Sequence, residues 1–324
     1  MPDIFLDCFG YSLGNVRQNL AMADSHNQLF SSAELLLESG FSSHYVCDEN
    51  QTVLDLASKT ADRVLSEFTS RYQLSATDIH ALLYATCLTK NGNVGDEAVF
   101  STTGDVKHYM QFPASHIQNH FNLNNAFVMG INQTACTSLL GSIRIAGSLL
   151  NNESDLNNIL CLTADRFPAT ARYEQTYNLI SDGSAGCIVR KGAGAFKLLA
   201  SHHITNGSMT TATDDEAVGF FFNYMHRLLT ECVTKSGYTI SDINYIVPQN
   251  TNVKAWQVLS SLLKFNFSQV LMPTREDIGH CISGDNLINL LHLHNHGIFN
   301  KGDLLLLPMA GFGLNWACIL LEKT

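Results

Sequence analysis

Charge is scarce in this sequence, and long apolar runs are absent. Charged residues make up 15% of the 324 residues, whereas 45% are hydrophobic, so the chain can bury a large core in one big domain or two fused ones. No apolar run approaches the roughly 20 residues that a membrane helix needs, and the start lacks the basic and apolar regions of a secretory signal. We therefore expect a cytoplasmic protein that has no membrane partner.

Basic residues are fewer than acidic ones. The chain has 19 Lys and Arg against 29 Asp and Glu, which gives a formal charge of −10 and a pI near 5.6. Neutralising phosphates needs a basic surface, so we expect no nucleic-acid partner. The glycine pairs Gly192/Gly194 and Gly311/Gly313 lack the following glycine and helix of a dinucleotide site. The sequence therefore contains no nucleotide-binding loop of that kind.

Motifs for disulfides and metals are missing as well. Nine cysteines are scattered through the chain, none of them in a C-x-x-C pair, and this spacing favours reduced thiols over disulfides or a zinc site. His292, His294 and His296 alternate, a pattern that could hold a metal on a strand. They lie where a helix should end, however, and histidine interacts favourably with the helix dipole there. We therefore predict no metal site.

The stretch 127–150 carries the strongest chemical signal. It reads as a buried strand, a tight turn at 135–137 and a helix whose apolar residues recur at helical spacing. Cys136 stands at the start of that helix, where unpaired N–H groups and the helix dipole favour the nucleophilic thiolate. The local sequence leaves a second interpretation open, in which Cys136 is one more buried cysteine.

Strands and helices alternate through the rest of the chain. The segment 91–109 is rich in Gly, Ser and Thr, and we expect a long loop there that shapes a substrate or dimer surface. Predicted strands cover 3–10, 79–86, 159–163, 180–190, 195–205, 242–248, 270–273, 303–309 and 315–322. Predicted helices cover 51–72, 215–236, 253–265 and 283–294.

Two parts of the chain repeat one pattern. Residues 76–89 and 240–252 each combine a Thr/Ser-Asp-Ile turn with a buried strand and a polar loop. A turn and helix follow in both parts, and then a closing strand, with turn-to-strand offsets that agree within a residue. Internal repeats indicate duplicated structural units. We therefore predict two copies of one mixed α/β unit, at 1–194 and 195–324.

Five segments together resemble one protein family. They are INQTACTSLL around Cys136, SDGSAGCIV at 181–189, IVPQNTNVKAW at 246–256, DIGHCISGDN at 277–286 and AGFGLNWACILLE at 310–322. In this order and spacing they resemble the thiolase-fold condensing enzymes, and among these the β-ketoacyl-acyl carrier protein synthase III group. The resemblance implies a duplicated α/β fold of five layers, α-β-α-β-α, with two five-stranded sheets between helices.

The resemblance also implies catalytic roles, and here the sequence departs from the family. Cys136 matches the cysteine that accepts the acyl group, and Gly313 matches the glycine whose N–H joins that of Cys136 in an oxyanion hole. Gln249 stands where the family has a histidine, and His280 stands where it has an asparagine. In the family these two positions hold the second thioester for decarboxylation.

Substrate recognition is implied more faintly. The resemblance suggests acyl-CoA or a phosphopantetheinyl acyl carrier protein as co-substrate, and no permanently bound cofactor. Asn252 matches a family asparagine, and Lys254 lies close to where a basic residue often flanks the phosphate, so both are substrate-binding candidates. A single lysine in the first turn of a helix is, however, more often just solvated.

The residues present favour acyl transfer over condensation. Glutamine cannot take a proton near pH 7 but can donate to an oxyanion, whereas His280 can act as a base. This logic resembles the ketosynthase-like acyltransferases of bacterial natural-product pathways. The predicted reaction moves an acyl group from a thioester, through Cys136, to a hydroxyl or amine of a small secondary metabolite. Asp285 could orient the ring of His280, but we expect it on the solvent face of the following helix.

Two other functions stay open at this point. A ketosynthase that forms carbon–carbon bonds could share the donor role between His280 and Gln249. Alternatively, the chain could be the non-catalytic subunit of a heterodimeric ketosynthase-like enzyme. The expected assembly is a homodimer, or a heterodimer with a homologous subunit.

Overall fold

Strands and helices alternate in the part of the chain that the computed structural model describes, namely residues 2–175, 178–207, 213–312 and 314–324. The strands are Ile4–Leu13 (β1), Val16–Asn19 (β2), Ser43–Val46 (β3), Ala81–Ala85 (β4), Phe127–Ile131 (β5), Asn158–Asp165 (β6), Glu174–Gln175 (β7), Asn178–Leu179 (β8), Gly183–Lys191 (β9), Phe196–Thr205 (β10), Tyr245–Ile246 (β11), Leu304–Gly311 (β12) and Asn315–Lys323 (β13). The helices are Leu20–Ser25 (α1), Ala33–Glu38 (α2), Val53–Tyr72 (α3), Glu97–Thr103 (α4), Pro113–His120 (α5), Ser138–Asn152 (α6), Asp214–Thr234 (α7), Val253–Leu263 (α8), Arg275–Ile278 (α9) and Asp285–Asn295 (α10).

The long predicted helices are present, with ends that move by no more than two residues. They are α3, α7, α8 and α10. Local chemistry explains the best defined of these ends: Thr52 and Asp55 form a reciprocal capping box at the start of α3. The helix stops where Gln73 adopts a left-handed conformation. Helical periodicity thus identified the elements, and capping groups set their limits.

One nine-stranded sheet runs through the described residues, in the order β11-β12-β13-β10-β1-β9-β6-β4-β5. Its two parts join where β1 pairs with β10 in antiparallel fashion, with Phe5 opposite Lys197 and Leu6 opposite Phe196. The first part has five strands and the second has four. The expectation of two separate five-stranded sheets is therefore wrong in detail, because the β1–β10 pairing makes the strands continuous.

The second part of the sheet has one strand fewer because the strand predicted at 270–273 does not form. Only a single parallel bridge forms there, between Val270 and Ile246, and the N–H of Leu271 donates to the carbonyl of Ile246 at 2.9 Å. Pro273 has no N–H with which to extend a ladder, and α9 begins two residues later. The predicted strand is therefore wrong, and a one-residue bridge stands in its place.

The two parts of the sheet repeat one topology. The orders β1-β9-β6-β4 and β10-β13-β12-β11 have matching directions, antiparallel except for the last pair of each. The chain enters β4 and β11 through equivalent 3₁₀ turns, with capping boxes of Ser75 with Asp78 and of Thr239 with Asp242. The boundary predicted near residue 195 falls between β9 and β10 and stays a prediction.

Helices α6 and α10 lie between the two parts of the sheet. Their buried side chains, such as Leu140 and Leu290, share one core with strand residues of both parts, such as Leu83 and Leu307. Helices α3 and α5 pack on the other face of the first part, and α7 and α8 pack on the other face of the second. Each fully buried leucine or isoleucine in these layers contributes about 1.5–3 kcal/mol. Across the described residues, we find no helix whose length and apolar character would let it cross a membrane.

Strand β5 is exposed, although its apolar sequence predicted a buried strand. It lies at an edge of the sheet and pairs with β4 alone among the described strands. The exposed fractions are 40% for Phe127, 39% for Val128 and 39% for Met129. The burial prediction is wrong for the single chain because an apolar run does not reveal whether its cover comes from the same chain.

The segment predicted as a long loop at 91–109 contains a short helix. Asp96 caps α4 by accepting the N–H groups of Ala98 and Val99. Gly104 ends the helix with a φ of +66°, a conformation that suits glycine. The loop prediction is thus only partly right, because a good cap and a good stop signal enclose a helix of seven residues inside the polar segment.

Candidate active site

Cys136 lies in a sharp turn between β5 and α6. Ala135 has a φ of +48°, a left-handed conformation that costs a residue with a side chain about 1–2 kcal/mol. A 3₁₀ turn over 135–137 then leads into α6 at Ser138. Gly311 at the end of β12 packs on this turn, because a Cβ there would lie 3.0 Å from the backbone nitrogen of Cys136. Backbone from the second half of the chain therefore reaches the predicted nucleophile.

A matching turn precedes α10 in the second half. Ile282 has a φ of +45°, and a 3₁₀ turn over 282–284 leads into α10 at Asp285. The two turns touch, since the Oγ atoms of Ser138 and Ser283 are 2.9 Å apart. His280 lies just before the second turn and is thereby brought to the first.

The backbone of His280 is held firmly. Its N–H donates to the carbonyl of Leu179 at 2.7 Å, and its carbonyl accepts from the N–H of Ser181 at 2.9 Å. Gly279 makes this approach possible: it has a φ of +72°, and a Cβ there would lie 2.6 Å from the carbonyl oxygen of Leu179. The Gly279-His280 segment is thus docked against the end of β8.

Asp285 binds the ring of His280, which corrects the solvent-face prediction. The Nδ1 of His280 lies 2.5 Å from Oδ2 of Asp285, and the carboxylate is fully buried. It also accepts the N–H groups of Cys281 at 2.6 Å and Asn250 at 2.7 Å. The prediction is wrong because α10 is an interior helix, so its first turn faces the site instead of water. With Nδ1–H bound to Asp285, Nε2 becomes the nitrogen that can exchange protons.

The pKa values of Cys136 and His280 shift in opposite directions, and each residue contributes to the shift of the other. A hydrogen bond from Cys87 is the main influence on Cys136, and it outweighs burial; with the hydrogen bond and charge of His280, it lowers the pKa of Cys136 to about 5. Burial by itself would lower the pKa of His280, but the charge and hydrogen bond of Asp285, together with those of Cys136, raise it to about 10. These directions favour the thiolate form of Cys136 and the protonated form of His280.

Gln249 lies beside the same turn. Its Oε1 accepts the N–H of Ala310, the neighbour of Gly311, and its side chain is buried. Because the carbonyl end of the amide is bound to a backbone donor, the orientation of the amide is set, and the NH₂ end is the one that can donate to a substrate. The next residue, Asn250, donates its backbone N–H to Asp285. Gln249 thus lies between the cysteine turn and the histidine–carboxylate pair.

Three other predicted site residues remain. Two of them lie at the start of α8, and the third lies outside the described residues. Asn252 starts α8 by accepting the N–H of Lys254 at 2.9 Å, and its amide nitrogen donates to Oγ of Ser39 at 3.2 Å. Lys254 is exposed in the first turn of that helix. Substrate binding by these two residues stays a prediction. Gly313, the predicted second donor of the oxyanion hole, lies outside the described residues, so the hole is represented here by the backbone of Cys136 alone.

Cys87 is a site residue that the sequence interpretation missed. Its Sγ lies 3.9 Å from Sγ of Cys136. The buried carboxylate of Asp165 fixes the Cys87 backbone, since it accepts the N–H groups of Cys87 and Leu88 at 3.0 Å each. A signal was present: Cys87 and Cys136 follow β4 and β5, and neighbouring parallel strands end at the same edge of a sheet.

A cleft of about 460 Å³ is lined by part of the loop that follows Cys87 in the chain. Leu88, the following residue, lines it, together with Phe167 and Asn91. Two cationic side chains, those of Lys90 and Arg166, also line it. The cleft therefore combines apolar surface with positive charge.

A separate acidic group does not alter the prediction that metal is absent from the site. Asp7, Cys8 and Glu67 have ligand atoms close enough to share an ion. Arg71 already bridges the two carboxylates, at 2.6 Å from Asp7 and 2.5 Å from Glu67. These residues lie on β1 and α3 and do not contact Cys136, and the guanidinium supplies the positive charge that an ion would bring.

A cysteine, a histidine and a carboxylate connected in this way are the parts of a nucleophilic acyl-transfer site. Comparisons with known proteins agree with that class. Residues 233–323 match the family model for the C-terminal part of 3-oxoacyl-[acyl-carrier-protein] synthase III. A curated relative, the β-ketoacyl-[acyl-carrier-protein] synthase III of Rickettsia bellii, is 22% identical over 305 residues, which cover 87% of this chain and 88% of the relative.

Solved structures are similar over nearly the whole length. The 3-oxoacyl-[acyl-carrier-protein] synthase III of Aquifex aeolicus has a TM-score of 0.79 at 17% identity, over 99% of this chain and 100% of that one. The acyltransferase ChlB3 has a TM-score of 0.81 at 16% identity, over 99% and 98%. The predicted thiolase-like α/β fold is confirmed. Together the comparisons show that this chain is similar to synthase III enzymes in sequence and in fold.

Proposed function

We propose that this protein is an acyltransferase that moves an acyl group from a CoA or acyl-carrier-protein thioester to a hydroxyl or amine of a small secondary metabolite. The observation that carries the proposal is the contact between the two turns, which brings Cys136 near the His280 ring that Asp285 binds; His280 in turn helps to lower the pKa of Cys136. In this proposal Cys136 is the nucleophile, His280 is the acid and base, and Asp285 is a positioning residue for His280.

The first step forms the acyl-enzyme. The Cys136 thiolate attacks the thioester carbonyl, the new carbon–sulfur bond forms, and the bond from the acyl carbon to the donor sulfur breaks. The imidazolium of His280 gives its proton to the departing donor thiolate. The backbone N–H of Cys136 donates to the oxyanion, and Gly313 remains the proposed second donor.

The second step passes the acyl group on. Acylation removes the negative charge of Cys136, which is one of the influences that raise the pKa of His280. The ring then loses its proton more easily and can act as a base. It takes the proton of the acceptor hydroxyl or amine while the acceptor atom attacks the acyl carbon, and Cys136 leaves as a thiolate. Asp285 holds Nδ1–H throughout, so that Nε2 handles the proton.

Gln249 supports transfer without decarboxylation. Its amide can donate to a substrate oxygen but does not titrate near neutral pH. Stabilising an enolate relies on two strong donors over one thioester carbonyl, and here one candidate is an amide while the other, His280, is paired with Cys136 and Asp285. The arrangement is better suited to activating a hydroxyl or amine.

A condensing ketosynthase is the second candidate, because the curated relatives are described as synthases. In that case Gln249 and His280 would share the donor role over a malonyl thioester. The non-catalytic heterodimer subunit has weaker support, since a subunit without a reaction would not need the low thiol pKa of Cys136.

The donor and acceptor are proposed from the surroundings of the site. The cleft lined by Leu88 and Phe167 also contains Lys90 and Arg166, which suits either a phosphate-bearing arm or a polar metabolite. Lys254 at the start of α8 is the other candidate for the donor phosphate. CoA and an acyl carrier protein share this phosphopantetheine chemistry.

We also propose that two copies of the chain assemble through β5. This edge strand has unpaired backbone groups on one side and exposes Phe127, Val128 and Met129, and such an edge pairs readily with another strand. A two-fold axis would place β5 against its copy and bury both sets of side chains. A homologous subunit with a similar edge is the heterodimer alternative.

The test supplies labelled acyl and malonyl thioesters with a panel of hydroxyl and amine acceptors. Intact-mass spectrometry follows the acyl-enzyme, and carbon dioxide release is measured in parallel. We expect one acyl group on the protein, its transfer to an acceptor, and no carbon dioxide. His280→Ala should still acquire the acyl group but pass it on at least about 100-fold more slowly, whereas the exposed histidine variant His296→Ala should behave as the wild type.

Two results would contradict the proposal. Stoichiometric carbon dioxide with a new carbon–carbon bond would establish the condensing reaction instead. An acyl adduct that persists in Cys136→Ala would move the chemistry to another of the nine cysteines.

A further inference from the structure

The pair Cys87 and Cys136 goes beyond what acyl transfer needs. One cysteine suffices for a thioester intermediate, yet a second thiol lies 3.9 Å from the first, sulfur to sulfur. Among the described cysteines most are buried, but Cys87 is partly exposed. A partly exposed thiol beside an activated thiolate is the arrangement found where one cysteine is oxidised and the other resolves it.

We infer that Cys87 and Cys136 form a reversible oxidation site, in which a hydroperoxide oxidises Cys136 and Cys87 captures it as an intramolecular disulfide. The proposal rests on the sulfur contact and on the way each cysteine is held. A disulfide bond is about 2.0 Å long, so the sulfurs must approach by about 1.9 Å. Rotation of the two side chains, with small backbone shifts, can supply that movement.

The backbone around Cys87 favours this closure. Asp165 accepts hydrogen bonds from the backbone N–H groups of Cys87 and Leu88, from the hydroxyl of Thr86 at 2.6 Å and from the amide of Asn91 at 3.1 Å. These bonds keep the Cys87 turn directed at Cys136. A buried carboxylate that holds a turn with four donors is costly to build unless the position of the turn matters.

The two cysteines differ in reactivity, as oxidation of one and capture by the other require. Thiolates react with peroxides, and Cys136 is the thiolate of the pair, since contact with Cys87 and His280 lowers its pKa. The hydrogen bond to Cys136, followed by burial, raises the pKa of Cys87, which remains a thiol. Oxidation should therefore begin at Cys136.

The steps balance with hydrogen peroxide as the oxidant. The Cys136 sulfur attacks one peroxide oxygen, the oxygen–oxygen bond breaks, and hydroxide leaves and takes a proton to become water. This gives a sulfenic acid at Cys136. The Cys87 sulfur then attacks the Cys136 sulfur, the sulfur–oxygen bond breaks, and the departing hydroxide combines with the Cys87 proton as a second water. Two thiols and one peroxide give one disulfide and two waters.

The consequence would be protection of the nucleophile. Without a resolving thiol, a sulfenic acid proceeds to sulfinic and sulfonic acids, which ordinary thiol reductants do not reverse. A disulfide blocks acylation but is restored by a dithiol. The inference depends on the sulfur pair and does not require the proposed acyl transfer, so the two can fail separately.

The sequence makes the product easy to identify. Trypsin would release Cys87 in the peptide 72–90 and Cys136 in the peptide 108–144, and each peptide contains only that cysteine. Reduced full-length protein is treated with hydrogen peroxide, alkylated and digested. We expect a species two hydrogens lighter than the starting protein and a linked pair of these peptides, both reversed by dithiothreitol.

Cysteine variants distinguish capture of oxidised Cys136 by Cys87 from general oxidation of the protein. In Cys87→Ser the linked pair should vanish, and Cys136 should gain two or three oxygens that dithiothreitol does not remove. Cys47→Ser removes the other partly exposed cysteine and should leave the linked pair at the wild-type amount. Recovery of Cys136 alkylation after dithiothreitol should be at least about tenfold greater in the wild type than in Cys87→Ser.

Two results would overturn the inference. One is wild-type protein in which Cys136 gains oxygens at the same rate and to the same extent as in Cys87→Ser. The other is a peptide map in which oxidised Cys136 is linked to a different cysteine. The wild-type map is decisive by itself, so the inference stays testable even if a variant does not fold.

Discussion

The turns before α6 and α10 are built alike but deliver different chemistry. Each has a left-handed residue, Ala135 or Ile282, then a 3₁₀ turn and an interior helix. The first turn presents Cys136, whereas the equivalent position of the second is Ser283, which is bonded to Ser138. The second helix instead begins with a carboxylate that holds His280.

Under the proposed function, this difference divides one reaction between the two halves of the fold. The same backbone geometry places a sulfur at the helix start in one half and a base with its orienting acid in the other. Because the two turns touch, neither half contains a complete site. The predictions below change one turn and use the other, or a matched surface position, as the control.

The largest expected effect comes from removing the nucleophile. Cys136→Ala should abolish the acyl adduct that intact-mass spectrometry detects, because it removes the thiol whose pKa is lowered by Cys87 and His280. Ser283→Ala changes the equivalent position of the second turn. It should keep the adduct and lower the free energy of unfolding by about 1 kcal/mol, through loss of one hydrogen bond. Equal loss of the adduct in both variants would contradict the division of roles.

The next effect concerns the carboxylate of the second turn. Asp285→Asn removes the charge that holds His280 and should slow acyl transfer by about 10²–10⁴-fold, with a shifted pH profile. Asp277→Asn alters an exposed carboxylate in the same segment and should change the rate by less than about twofold. A profile for Asp285→Asn with the wild-type shape would assign Asp285 a purely structural role.

A third prediction compares the exposed edge strand β5 with an exposed position on helix α8. Val128→Lys puts a charge on the exposed edge β5 and should shift the proposed dimer toward monomer, measured by light scattering at micromolar concentration. Val258→Lys makes the same change at an exposed position of α8 and should leave the oligomer intact. A wild-type chain that is already monomeric would remove the β5 proposal.

The smallest effect tests the left-handed residue itself. Ala135→Gly should relieve strain and raise the free energy of unfolding, or leave it within about 1 kcal/mol of the wild type. Ala146→Gly in the middle of α6 should lower it by about 1 kcal/mol or more, because glycine weakens a helix interior and a buried methyl is lost. Thermal unfolding measures both. Equal losses would mean that Ala135 is not strained.

Part of this account follows from the sequence because local patterns record it. Cys136 and His280 were identified from segments along the chain, and α3, α7, α8 and α10 from helical periodicity. Patterns of this kind depend on neighbours in sequence, and both residues lie in short, specific motifs.

The other features of the fold and the site depend on tertiary packing. Asp285 was assigned to solvent because periodicity does not show that α10 is covered on all sides. Cys87 was missed because its partner is 49 residues away. β5 is exposed because no described part of the same chain covers it, and the strand at 270–273 is lost because Pro273 ends the pairing. Each of these facts is set by tertiary contacts.

The charged pair of Cys136 and His280 is the central claim, and the pH dependence of alkylation tests it most directly. The rate of iodoacetamide reaction is followed by peptide mapping of Cys136 from pH 4 to pH 9. A thiolate with a lowered pKa loses reactivity only as pH falls through that pKa, so we expect a midpoint near 5 and a plateau above it. In His280→Ala and in Cys87→Ala the midpoint should rise. A wild-type midpoint near the ordinary thiol value of about 8.5, unchanged in either variant, would contradict the account.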